Sequence, residues 1–331
     1  MPRPAEDELI ARYLAPLAGP GGLGLRDDAA LATPRPNHDL VVTKDMLVAG
    51  VHFFADDPPD AIARKALRVN LSDLAAKGAA PLGFLLGLAL PRDWTEPWLA
   101  AFVDGLGADA RVFSCPLLGG DTVAMPGPLT LSITAFGEVP AGRMVPRTGA
   151  RADDVLYVTG TIGDAAIGLA IGFAEARDRS WIDTLDEASR AALIDRRLAP
   201  SPRLGLAPAL AHARAAMDVS DGFIGDLGKM LALEGLTATV AAADVPMSPA
   251  ARAAIRFEPR LLETALTGGD DYEIVCAVSP ESVTAFEAAA QAAAIPIARV
   301  GVAARGLGPI VVVDTAGERL ALASASFQHF R

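Results

Sequence analysis

Leu117-Leu118-Gly119-Gly120-Asp121-Thr122 leads from an apolar pair into two glycines and a carboxylate. Beyond it, Leu129, Leu131, Ile133 and Ala135 alternate with Thr130, Ser132 and Thr134, the period of a half-buried strand. This pattern predicts a tight loop at a strand end that carries Asp121. Glycines there let backbone N–H groups approach an anion, whereas an Asp side chain holds only a cation. The combination suits a metal-bound phosphate better than a bare one. A lone Gly-Gly-Asp is also an ordinary turn, so the reading rests on what the rest of the chain adds.

Upstream, strand and helix patterns alternate. Leu9, Ile10, Tyr13, Leu14 and Leu17 predict an amphipathic helix that stops at Gly19-Pro20-Gly21-Gly22. Gly19, Gly21 and Gly24 spell G-x-G-x-x-G, but no strand precedes them and no helix is signalled after them, so a loop is expected and not a dinucleotide site. Asp27-Asp28 pairs two carboxylates. Leu40-Val41-Val42-Thr43 reads as a strand delivering Lys44-Asp45, and residues 46–54 as a second strand ending near His52. Residues 60–77 suit a buried helix with Gly78 as its stop. Asn70, Ser72 and Asp73 within it are poor helix formers, which suggests a role beyond folding, or a cap on a second, shorter helix. Gly83 to Leu90 is a continuous apolar run, expected to be a strand buried on both faces, and residues 97–113 read as the next helix.

Gly, Pro and charged residues cluster over 142–154, so two domains are expected, residues 1–140 and 141–331. The second restarts with a strand over 155–159, then Gly160-Thr161-Ile162-Gly163-Asp164 opening a helix, with Asp164 as its cap. A further helix is expected from Ser201 to Leu210. In Met217-Asp218-Val219-Ser220-Asp221-Gly222 two carboxylates and a hydroxyl crowd one turn before a helix that carries Asp226. That crowding is costly unless a cation or a donor-rich ligand compensates, and an Asx turn is the plain alternative. A second Gly-Gly-acid element, Gly268-Gly269-Asp270-Asp271-Tyr272-Glu273, precedes a strand at 274–278.

Composition narrows the function. The 331 residues carry a formal charge of -11, 51% hydrophobic and 21% charged residues, which describes a folded protein and argues against nucleic acid or an anionic membrane as partner. The longest apolar stretch, 79–90, contains Pro81 and is too short to span a bilayer. Two lone cysteines, Cys115 and Cys276, and no signal-peptide pattern lead to an expected cytoplasmic location. No G-x-x-x-x-G-K-[ST], H-E-x-x-H or G-x-S-x-G occurs, and the four histidines are scattered. What remains is a set of carboxylates at the ends of predicted elements, hard oxygen ligands that select magnesium together with substrate phosphates.

Taken in order, Asp27-Asp28-Ala29-Ala30, the Asp45 to His52 segment, Asn70-Leu71-Ser72-Asp73, Gly119-Gly120-Asp121-Thr122, Gly160 to Asp164, Met217 to Gly222 and Gly268 to Glu273 resemble the thiamine-monophosphate kinases. Their superfamily also contains aminoimidazole ribonucleotide synthetase and selenophosphate synthetase. The resemblance implies a mixed α/β (α+β) fold of two domains, the N-terminal one pairing into a dimeric barrel and the C-terminal one completing a cleft. It implies transfer of the γ-phosphoryl group of ATP to thiamine monophosphate, giving thiamine diphosphate and ADP. By the same resemblance Asp28, Thr43, Asp45, Asp73, Asp121, Asp218 and Asp221 hold several Mg2+ ions. Gly120, Asp121, Arg147 and Ser220 contact ATP, and His52, Asp270 and Phe327 meet the thiamine moiety. No residue is expected as a general base.

Three positions depart from the family pattern: Arg26 for Gly, Lys44 for a small hydroxyl residue and Asp270 for Glu. Lys44 is expected to place a cation among the metal ligands, and Asp270 to reach less far. A sensor that binds ATP and magnesium with weakened catalysis, or an enzyme like aminoimidazole ribonucleotide synthetase, is the alternative.

Overall fold

The computed structural model describes residues 4–173 and 179–327, and these divide into two compact units. The first comprises Met1–Leu74 and Ala79–Met144, the second Ala75–Gly78 and Val145–Arg331. In the first unit the opening helix α1 (Glu6–Leu9) runs on as a π turn and a 3-10 turn to Leu17 and stops at Gly19. The following glycines form a 3-10 stretch, Pro20–Leu25, with no strand before it.

β1 (His38–Val48), α2 (Pro59–Ala76), β2 (Ala80–Pro91), α3 (Glu96–Val112), β3 (Leu117–Met125) and β4 (Thr130–Pro140) complete the unit. The sheet order is β1-β4-β2-β3. β4 is antiparallel to β1 and β2, while β2 and β3 are parallel and joined through α3, as a crossover requires. α2 lies on the odd-numbered face of β1, where the Thr43 hydroxyl donates to Asp73 and the Asp45 N–H donates to Asn70 Oδ1 at 3.1 Å. α3 is tied to α2 by Arg68 Nη2 to Asp109 Oδ1 at 2.9 Å. The helices approach closely at Gly105, where a Cβ would stand 2.5 Å from the Asp60 carbonyl oxygen. Leu131, Ile133 and Ala135 of β4 are buried as their alternation predicts. The opposite face leaves Leu40, Val42 and Met46 of β1 and Val123 of β3 exposed.

Several expectations are corrected here. Gly119-Gly120-Asp121 is no loop but the interior of β3, paired with Leu85, Leu86 and Gly87. Gly120 is required there by close approach, since a Cβ would lie 1.9 Å from the Leu86 carbonyl oxygen. The two strands expected over 40–54 are one eleven-residue strand that turns at Ala49–Phe53, so Lys44 and Asp45 lie inside it. β2 buries alternate residues, Phe84, Leu86, Leu88 and Leu90, and leaves Leu85, Gly87 and Ala89 between them partly exposed. Asn70, Ser72 and Asp73 sit inside a single helix, not at a second cap.

The second unit is built on β5 (Val155–Thr159), α4 (Asp164–Phe173), α5 (Ser180–Asp183), α6 (Glu187–Leu198), α7 (Ala207–Leu210), β6 (Ala213–Asp218) and α8 (Phe223–Ala232). Then follow β7 (Leu236–Ala241), α9 (Pro249–Phe257), α10 (Leu261–Thr267), β8 (Ile274–Val278), α11 (Val283–Ala292), β9 (Ile297–Arg305) and β10 (Val311–Val313). Its sheet order is β10-β7-β9-β5-β8-β6, antiparallel except for the β10–β7 pair. β5 and β8 are wholly buried because apolar clusters cover both faces. Leu156 and Val158 enter one with Phe223, Ile224 and Leu227, and Val155 and Tyr157 enter the other with Phe286 and Leu210. The helix expected from Ser201 shrinks to a 3-10 turn at Leu204–Leu206 and the short α7, because Pro202 and Pro208 remove backbone donors. Among the described residues no helix is long and apolar enough to cross a membrane.

Candidate functional site

The expected site residues fall into separate groups. In the first unit Asp27, Asp28, Gly119, Gly120, Asp121 and Thr122 line one cavity of about 750 Å³ with Ser132 and Thr134 of β4. Asp121 pairs with Gly87 in the ladder and so shares the open face of the sheet. Asp27, Asp28 and Asp121 are exposed, and among the described residues none of the three takes an ion pair. The cavity therefore presents carboxylates with no internal counterion.

The second group is Thr43, Asp45 and Asp73 on the helix-covered face of β1. Burial, and then the like charge of Asp73, push the Asp45 carboxyl up to about 6, with Lys44 acting in the opposite direction. Lys44 nevertheless sits at an alternate position of β1, opposite Thr134, on the open face with Val42 and Met46. Lys44 therefore acts on Asp45 through its charge but lies on the other side of the strand, on the same face of the sheet as Asp121. β1 and β3 are the two edges of the sheet, three strand spacings or about 14 Å apart. Asp45 and Asp121 are thus not brought together within this chain.

His52 lies in the turn after β1. Its Nδ1 accepts the Val48 N–H at 3.0 Å, and the buried Lys65 ammonium donates to its carbonyl at 2.9 Å, so the ring orientation is set by the fold. Arg147 is exposed.

In the second unit the turn between β6 and α8 gathers Asp218, Ser220 and Asp221. The Asp270 N–H donates to the Ser220 carbonyl at 2.9 Å and the Phe327 N–H to the Asp221 carbonyl at 2.9 Å, so three separated segments meet at one turn. Gly222 is required by its φ of 125° and by the Thr267 carbonyl, 2.3 Å from where a Cβ would stand. Residues 328–331 lie outside the described residues.

Sequence reading passed over what holds this turn. Asp226, fully buried, accepts the N–H groups of Ser220 at 3.0 Å and Asp221 at 2.8 Å on one oxygen and Lys229 Nζ at 2.9 Å on the other. Lys229 also donates to Asp221 at 2.7 Å. Behind the Gly268–Tyr272 segment, Glu273 is fully buried and accepts from Thr159 Oγ1 at 2.6 Å, Arg203 Nε at 2.6 Å and Arg196 Nη2 at 2.8 Å. Asp271 accepts the Gly163 N–H at 2.8 Å, and its carboxyl is raised well above the ordinary value by burial. These acids read in sequence like the exposed ones, and no local signal separates them.

Among the described residues no three His, Cys, Asp or Glu side chains form a metal cage. The donors present still suit magnesium, which binds through one or two carboxylates and fills its sphere with water and substrate phosphate. The Asp45–Asp73 repulsion is a local sign of that fit, because a bound cation would relieve it.

The family model for the N-terminal domain of AIR synthase related protein matches residues 26–139, and that for the C-terminal domain matches 151–314. The thiamine-monophosphate kinase of Caulobacter vibrioides is 42% identical over 311 residues, which cover 92% of this chain and 86% of that protein. Among solved structures, the thiamine-monophosphate kinase of Stenotrophomonas maltophilia is 39% identical with a TM-score of 0.78, covering 89% of this chain and 91% of its own. AaThiL complexed with AMPPCP and TMP is 26% identical with a TM-score of 0.75, covering 98% and 94%. Two family models in tandem, and identity of this degree over nearly the whole length, place the chain in the thiamine-monophosphate kinase family within the AIR synthase related fold.

Proposed function

We infer that this chain transfers the γ-phosphoryl group of ATP to thiamine monophosphate, with magnesium held by Asp28 and Asp121 at one edge of the first sheet, by Thr43, Asp45 and Asp73 at the other, and by Asp218 and Asp221 in the second unit. The observation that carries this reading is the cavity in which Asp27, Asp28 and Asp121 stand without counterions beside Gly119 and Gly120. Bound magnesium would supply charge neutralisation between two polyanions. The acceptor phosphate has a second pKa of about 6 and is largely a dianion near neutrality, so no side chain need take a proton from it. What the chain supplies is placement: acids that fix cations, Gly120 that lets a phosphate approach backbone, and Arg147 and Ser220 toward ATP. His52, Asp270 and Phe327 are assigned to the thiamine moiety, and a cytoplasmic location fits this chemistry.

A homodimer belongs to the same proposal. Val42 and Met46, each 53% exposed, make an apolar stripe on the open face of the sheet, and β1 and β3 are its unpaired edges. Two such sheets closing into one barrel would set β1 of one copy beside β3 of the other, so that Asp45, on the outer face, and the partner's Asp121, on the inner face, stand on neighbouring strands of one seam.

Two measurements test the reading. ADP release from ATP and magnesium should depend on added thiamine monophosphate; ATP binding without turnover would instead support a sensor. Asp45→Asn and Asp121→Asn, each inactive alone, should regain about a quarter of wild-type activity after mixing and re-association, because half the dimers then hold one intact site. No recovery, with mixed dimers demonstrated, would exclude the shared site.

A further inference from the structure

A helix N-terminus normally attracts anions, because its first N–H groups are unpaired and its dipole is positive there. The turn entering α8 lies just before those groups, since the helix N-cap is Gly222, and its own donors are already held. The N–H groups of Ser220 and Asp221 are both taken by one oxygen of Asp226, a side chain of the helix's own first turn, at 3.0 and 2.8 Å. Asp226 is fully buried, and its second oxygen accepts from Lys229 at 2.9 Å. With those two donors of the turn held from inside, the Asp221 carboxylate stands 36% exposed above them. Lys229, 44% exposed at its side chain, bridges Asp221 and Asp226 as a tethered cation on the rim.

We propose that Asp226 is a positioning residue that holds the Ser220–Asp221 turn in place for a cation at Asp221, and that Lys229 competes with the metal for Asp221. The proposal rests on the assignment of Asp218 and Asp221 to magnesium made above. Its two halves have opposite signs. Removing the Asp226 charge frees backbone donors and leaves Lys229 to Asp221 alone, so cation binding weakens. Removing the Lys229 ammonium leaves Asp221 uncompensated, so cation binding strengthens.

The test uses the full chain, with Mn2+ as a magnetic probe titrated by electron paramagnetic resonance, amide exchange of residues 219–222, and steady-state kinetics at varied Mg2+. In Asp226→Asn, Mn2+ affinity should fall about tenfold, the scale seen when a group supporting a metal ligand is altered. Amide exchange at Ser220 and Asp221 should rise, and the half-saturating Mg2+ should rise more than kcat falls. In Lys229→Met, Mn2+ affinity should increase about two- to fivefold, the size of an exposed ion pair. If both variants shift affinity in the same direction, or neither shifts it, the proposal is overturned. Should Asp226→Asn fail to fold, Lys229→Met decides alone: tighter Mn2+ binding upholds the competition, and unchanged or weaker binding ends it. Wild-type protein without magnesium-dependent transfer would sink the functional assignment, whereas altered turnover with unaltered Mn2+ binding would sink only this inference.

Discussion

Gly119-Gly120-Asp121 and Gly268-Gly269-Asp270 are the same tripeptide in two environments. The first is the interior of a strand, paired through Leu86 and Gly87, and ends on an exposed carboxylate beside a cavity. The second is a turn before β8 in which Asp270 has a φ of 74° and its N–H is bonded to the Ser220 carbonyl. The units around them differ likewise. Asp27, Asp28 and Asp121 face water without an internal cation, whereas Glu273 lies fully buried between Arg196 and Arg203, and Asp226 is held by Lys229. Acids of the first kind are available to an external cation. Those of the second kind shape the backbone that presents Asp218, Ser220 and Asp221.

Four changes would break or sharpen this contrast. Gly120→Ala drives a Cβ into the Leu86 carbonyl and should lower stability by about 4 kcal/mol or more in urea melts. Gly119→Ala meets only the Leu85 side chain at 3.3 Å and should stay within about 1 kcal/mol. Glu273→Gln leaves two guanidinium groups short of a buried counterion and should cost about 3 kcal/mol in the same melts. A smaller loss would mean water reaches that network.

Asp121→Asn should do the reverse. Its stability should remain within about 0.5 kcal/mol of wild type, since the side chain is exposed and unpaired. Turnover should drop about a hundredfold or more, the scale of losing one electrostatic contact to a transferring group. Wild-type turnover in this variant would remove Asp121 from the site.

The smallest effect concerns the thiols, one in each unit. Burial raises Cys115 to about 12 and raises Cys276 as well. Both should resist iodoacetamide at pH 8 until the protein unfolds. For such groups the folded state keeps protons that the unfolded state loses, so this contribution to stability is complete below the unfolded thiol pKa of about 8.5 and declines as pH rises. Rapid native-state alkylation of Cys115 would show that the first unit opens locally.

Much of the architecture was legible along the chain. The alternation of Leu131, Ile133 and Ala135 announced β4, and the spacing across 60–77 announced α2, because burial on one face leaves its period in the sequence. Glycines misled at 119–121, since Gly120 is demanded by contact with β2, a neighbour not adjacent in sequence. The break at Val48 was misplaced because β1 owes its full length to pairing with β4, and its local composition carries no trace of that ladder.

By itself the sequence determined the family, the two-unit order and the acid-rich motifs, for these depend on residue type and succession. Tertiary structure alone decided which acids are available. Lys44 falls on the opposite face from Asp45 through the two-residue period of β1, and Asp226 is consumed by backbone donors that folding brings to it. Asp45 and Asp121 stand at opposite edges of one sheet. A carboxylate's chemistry is set by the charges and donors within a few ångströms, and in this chain those neighbours come from strands and helices that folding brings together.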